Sequence, residues 1–189
     1  MTDESNIEAQ NPPLHKADVM RSAVFNEDCI AVMKRYPDKF FNLAIVDPPY
    51  GNIDAIGLAD NKRKGKQATK RTNYKLFENV APDDEYYCEL ERVSKNQIIW
   101  GANHFISKIP FDSPCWLVWD KDNTGNFADC ELAWTSFDSP ARLVKINSNQ
   151  LDRIHPTQKP IKLYEWIINE YAYCKTCHNT GGFYEDVVG

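Results

Sequence analysis

An α/β fold with a mostly parallel sheet is the class this sequence predicts, and three observations predict it. Leu43 to Val46 is a continuous apolar run, as in a strand buried on both faces. Similar runs recur at Gln97 to Trp100 and Cys115 to Trp119, with a helical pattern between the first two. Each run leads into something polar or small, namely Asp47, Gly101 to Asn103 and Asp120. In open α/β sheets ligands bind at the carboxyl ends of the strands, so the candidate site belongs there.

The 189 residues, 42% of them hydrophobic, suit one domain with a real core. The first 20 residues read as a disordered tail, and the folded domain as residues 21–189. No apolar run approaches the roughly 18 residues needed to cross a bilayer. The N-terminus is polar and acidic, unlike a signal peptide, so a cytoplasmic protein away from membranes is expected. Its six cysteines are then expected to be reduced thiols. The net charge of -5 hides a basic stretch, "GLADNKRKGKQATKRTNYK" at 57–75, with seven Lys or Arg against one Asp. Such a local patch is what a phosphate backbone feels.

In chain order, Ala23 to Phe25 is expected as a short strand and Asp28 as the cap of a helix from Cys29 to Tyr36, ended by Pro37. With the strand at Leu43 to Val46 this forms a βαβ unit. Residues 51–75 read as a polar loop. "APDDEYYCELERVSKN" is a helix with Asp83 or Asp84 at its start. "ADCELAWTSF" is amphipathic and ambiguous, and "ARLVKI" is a strand. A last helix starts near Ile161, with Pro160 where a missing N–H does no harm. The five tryptophans read as core, with Trp100 the exception that could face a ligand.

The stretch "NLAIVDPPYG", residues 42–51, carries the chemistry. Prolines cannot donate to a sheet ladder, so the strand stops there and presents a stiff Asp47-Pro48-Pro49-Tyr50 turn. The exocyclic amine of adenine or cytosine is a poor nucleophile, because its lone pair is delocalised into the ring. The Asp47 carboxylate and the Pro48 carbonyl can accept its two N–H bonds and draw the nitrogen towards tetrahedral geometry, a preorganised arrangement. Tyr50 offers a face for a stacked base, worth ~1–3 kcal/mol by analogy with other stacking sites. The base must first leave the duplex.

"IVDPPYG" resembles the catalytic motif of the DNA amino-methyltransferases. "HPTQKP", His155 to Pro160, resembles a second motif of that family, and its position downstream is similar to the permuted β class. "NEDC" at 26–29, "IIWGANHF" and "WLVWDK" add to a likeness over about residues 22–170, in particular to small phage-type or orphan methylases. The resemblance implies a Rossmann-like, S-adenosylmethionine-dependent fold that methylates adenine N6, with cytosine N4 as the alternative. It implies that Asp47, Pro48, Pro49 and Tyr50 handle the target amine and base. It places Asp28 near the cofactor's adenine, Asp47 beside the cofactor, and Thr157, Gln158 and Lys159 near its methionine end. It implies double-stranded DNA as partner, held through Lys62, Arg63, Lys64, Lys66, Lys70, Arg71 and Lys75 in the basic insertion at 57–75.

His155 as a general base is disfavoured, since the amine can lose its proton after transfer. "CKTCH", Cys174 to His178, is half a zinc pattern with no second half, so no metal is expected. The β class follows its TQKP helix with a strand and a glycine-rich turn. Neither is evident here, and "NTGG" at 179–182 has no apolar strand before it. The sheet is then expected to lack a strand and to expose an edge that pairs with a second copy or a complementing polypeptide. A truncated, non-catalytic DNA-binding or assembly subunit is the alternative. Methylation of RNA or of a protein glutamine ranks below both.

Overall fold

The computed structural model describes residues 23–51, 80–109, 111–122, 128–148, 158–172 and 187–188. The apolar run at 41–46 forms β1 (Phe41–Val46), buried except at Asn42. Helix α2 (Asp84–Val93) follows a first helix, α1 (Cys29–Met33), and leads without a break into β2 (Ser94–Trp100). Four more strands complete the sheet: β3 (Trp116–Asp120), β4 (Cys130–Thr135), β5 (Arg142–Lys145) and β6 (Val187–Val188). Helix α3 (Ile161–Ile167) runs into a π-helical turn, Ile168–Ala172.

The strand order is β5-β3-β4-β2-β1-β6. β1 pairs in parallel with β2, Phe41 opposite Ser94 and Val46 opposite Ile99, and with β6, Leu43 opposite Val187. β3 and β5 are also parallel. β4 runs antiparallel to both its neighbours, with Trp100 opposite Ala133 and Asp120 opposite Cys130. The expected mostly parallel sheet is therefore corrected to a mixed one. The ambiguous segment at 128–137 is the cause, because its short alternating strand reverses direction in the middle of the sheet.

Alternation along β1 gives the sheet two buried faces. Ala44 and Val46 face a cluster with Tyr86, Leu90 and Val93 of α2 and Met33 of α1. Leu43 and Ile45 face Leu117, Trp119, Leu163 and Ile167, under α3. Helices thus cover both faces, and the α/β class holds. No described helix is long and apolar enough to cross a membrane.

Four expectations change. Ala23 to Phe25 form no strand: they pair with no described strand, Val24 is 95% exposed, and Phe25 lies under the Arg35 guanidinium instead. The parallel β-α-β unit is consequently β1, α2 and β2. Helix α1 stops at Met33, not Tyr36. Its next turns tighten, with Arg35 and Tyr36 donating to Val32 and Met33 carbonyls. Arg92 then donates to the Met33 and Tyr36 carbonyls at 3.0 and 2.9 Å, satisfying a helix end from outside the helix. Trp100 is fully buried and edge-on to Trp119, so it is core and not a ligand platform. A strand does follow the last helix, since β6 lies beside β1 at Leu43 and Ala44, on part of the edge expected to be open there.

The α2 cap matches expectation: the Asp83 side chain accepts from the Tyr86 N–H at 3.1 Å. Leu163 carries the α3 face of the core and is fully buried, whereas Ile161, two residues earlier, is 65% exposed. Leu163→Ala should cost about 2–5 kcal/mol in urea unfolding, and Ile161→Ala no more than about 0.5 kcal/mol.

Candidate functional site

β1 ends at Val46 and hands Asp47 to the rim of the sheet. Pro48 is buried, Pro49 exposed and Tyr50 half-buried, so the turn is anchored by its first proline. The Tyr50 ring lies against Gly101, the residue after β2. Gly101 has φ +67, and a Cβ there would sit 2.0 Å from Tyr50 Cε1. Only glycine allows both the backbone turn and the approach of the ring. The Gly101 N–H donates to the Leu132 carbonyl of β4 at 2.9 Å, which fixes the turn to the sheet. Tyr50 then donates from its hydroxyl to Asp47 Oδ1 at 3.0 Å. On its ring lies the imidazole of His104, stacked at 4.7 Å and 17°.

Lys159 completes the group from 112 residues away. Pro160, fully buried, sets the start of α3 and holds Lys159 just before it. The Lys159 ammonium donates to Asp47 Oδ2 at 2.5 Å and lies 3.5 Å from the Tyr50 hydroxyl. It also pairs with Glu131 Oε2 at 3.1 Å, without hydrogen-bond geometry, and sits 5.3 Å over the Trp100 ring. The Lys159 side chain is 4% exposed, against 29% for Asp47 and 24% for Glu131. Glu131 in turn accepts Lys121 on Oε1 at 2.6 Å. Two ammonium groups and two carboxylates therefore balance at one point of the rim.

The antiparallel β4 explains how Glu131 reaches this place. The other strands of the cluster end at the rim, whereas β4 begins there, so its second residue lies past the ends of β1 and β2, which are level with Trp134 and Ala133. Glu131 pairs opposite Trp119 of β3. Burial pushes the Glu131 carboxyl up, but Lys159 and Lys121 outweigh it and hold it below its ordinary 4.5. Burial first, then the Asp47 charge, pushes the Tyr50 phenol well above its usual range, so it stays a donor. Burial and then Asp47 and Glu131 push Tyr164, on α3, up to about 12.

Of the residues singled out in the sequence, the structure brings together Asp47, Pro48, Pro49, Tyr50 and Lys159. The Lys159 ammonium is engaged by Asp47 and Glu131. Gln158 is half-buried beside it. Asp28 is an exposed helix cap, accepting from the Ala31 N–H at 2.9 Å, and no hydrogen bond or ion pair among the described residues joins it to Asp47. Thr157, His155, the basic insertion with Lys62, Arg63, Lys64, Lys66, Lys70, Arg71 and Lys75, and Cys174, Cys177 and His178 lie outside the described residues. Glu131 and His104 were not foreseen. The only signal for Glu131 was an acid in an otherwise apolar alternation, and for His104 its nearness to Gly101.

No protein-family model matches the chain, and a comparison with curated proteins returns no match.

Gly101→Ala should destabilise the fold by more than about 1 kcal/mol, since it adds left-handed strain to a clash with Tyr50. Truncating the ring in Tyr50→Ala should remove part of that penalty, as read from a double-mutant cycle in urea. The lowered Glu131 carboxyl contributes stability at neutral pH that is lost as pH falls through its folded-state value, below 4.5. The acid limb of a stability–pH curve should therefore flatten in Glu131→Gln.

Proposed function

We propose that this chain is an S-adenosylmethionine-dependent DNA methyltransferase domain of the β class, with a Rossmann-like fold, acting on adenine N6. The observation that carries the reading is the rim cluster. There a carboxylate, a buried proline, a tyrosine and a lysine from the second motif converge at the end of a buried strand, the kind of place where α/β sheets bind ligands.

Asp47 serves as acceptor for the amine. An ionised carboxylate has about four acceptor positions, two on each oxygen. Tyr50 fills one on Oδ1 and Lys159 one on Oδ2, so each oxygen keeps a position for an amine N–H. The Pro48 carbonyl takes the second N–H. Charge developing on the amine nitrogen is thus met by fixed acceptors, which need no reorganisation. Tyr50 receives the flipped base on its ring, in exchange for His104.

S-adenosylmethionine supplies an electrophilic methyl group when bound. The residues present fit it. Asp47, 29% exposed at the rim, presents a carboxylate that can face a cationic sulfur. Gln158 would hold the methionine end, and Asp28, whose Oδ1 alone is used by the cap, the adenine end. Duplex DNA would bind through the basic insertion at 57–75, giving affinity that falls with salt and no sequence choice.

Cytosine N4 is the other target this site could serve, since it presents the same amine. A non-catalytic DNA-binding subunit is favoured by one observation, that both Asp47 oxygens already hold a donor.

Single-turnover transfer of labelled methyl to plasmid decides between these. The chain should label DNA, the label should appear on adenine N6 after digestion, and Asp47→Ala should reduce the rate by at least 100-fold. Equal labelling by Asp47→Ala removes Asp47 from the mechanism. Salt-sensitive DNA binding with no heat on titration of S-adenosylmethionine selects the non-catalytic reading.

A further inference from the structure

We infer that Lys159 and Glu131 form a positioning pair for Asp47, with Glu131 holding the lysine that holds the carboxylate. The inference rests on the reading of Asp47 as acceptor for the amine, and goes beyond it by assigning the rim a residue from β4.

A lone lysine on a lone aspartate can rotate about the contact. Here three contacts limit that motion. Asp47 Oδ1 takes the Tyr50 hydroxyl and Oδ2 the Lys159 ammonium, so neither oxygen can swing without breaking a bond. The ammonium itself lies between Asp47 at 2.5 Å and Glu131 at 3.1 Å. The Trp100 ring, in the core below, closes another side. A lysine so buried needs compensating charge: leaving it unpaired is strongly destabilising. Were Asp47 its sole partner, its full attraction would fall on the oxygens the amine needs. Glu131 shares that attraction, and Lys121 keeps Glu131 from adding net negative charge. The result is a carboxylate held in place while its remaining acceptor positions stay competent. Glu131 does not touch the amine; it acts through Lys159.

Two experiments separate this from a purely structural role and from failure of the functional reading. The first reads stability alone. Asp47→Asn and Glu131→Gln each leave Lys159 one carboxylate, and the double variant leaves none. The combined rise in the unfolding equilibrium constant should exceed the product of the single rises at least fivefold, and Lys159→Met in the double background should recover stability. Independent, multiplicative rises overturn the pairing. The second reads kinetics. Glu131→Gln should lower the single-turnover methyl-transfer rate at least tenfold, while the S-adenosylmethionine and DNA concentrations for half-saturation stay within twofold. Glu131→Asp, which keeps the charge, should fall between the two. A parental rate in Glu131→Gln, or a loss confined to half-saturation, overturns positioning and leaves the proposed function standing. A parent chain that transfers no methyl overturns the function and the positioning role with it, whereas the stability cycle still reports whether the pair exists.

Discussion

A buried ammonium organises the rim of this protein. Lys159 is nearly sealed from solvent, and it draws together a carboxylate from the end of β1 and another from the start of β4. Removing a lysine from water is costly unless its charge is met by well-placed partners. Everything near it serves that end. Pro160 and α3 fix where the side chain starts, the Trp100 ring supports it, and Tyr50 and Lys121 satisfy the outer oxygens of its two partners.

The mixed sheet is what makes this arrangement available. With every strand parallel, only carboxyl ends would meet at the rim, and β4 would contribute its last residue there. Because β4 runs the other way, its first turn of side chains reaches the same edge, and Glu131 arrives opposite Trp119. The glycine after β2 has a matching part: its left-handed backbone leaves room for the Tyr50 ring, and its N–H ties the turn to β4 at Leu132. Packing, backbone conformation and charge thus converge on one carboxylate, Asp47, at the end of a strand buried on both faces.

Much of this was legible in the residues. The apolar run into Asp47-Pro48-Pro49-Tyr50 announces a central strand with a stiff end, and Asp83 announces α2, because caps and buried runs are local signals. The failures are tertiary. Helix α1 gives way after Met33 to tighter turns, whose end carbonyls are met by Arg92, a contact 56 residues away in sequence. Val24 has apolar neighbours in sequence but no partner strand among the described residues, so its local pattern forms no strand. The segment around Cys130 to Thr135 looked amphipathic in both periods, and only pairing with β2 and β3 selects strand. Lys159 was visible as part of a motif, but a single sequence holds no trace of which acid a lysine will meet. Two-residue β6 was invisible because its pairing with β1, not its composition, makes it a strand.

The state of Lys159 is open to direct observation by heteronuclear NMR of protein labelled with ¹⁵N-lysine. A buried ammonium bound between two carboxylates should show its Nζ protons at neutral pH, exchanging with water far more slowly than those of exposed lysines, and its resonance should move in Asp47→Asn. A Lys159 signal that exchanges like a surface lysine, and is indifferent to residue 47, would contradict the central claim.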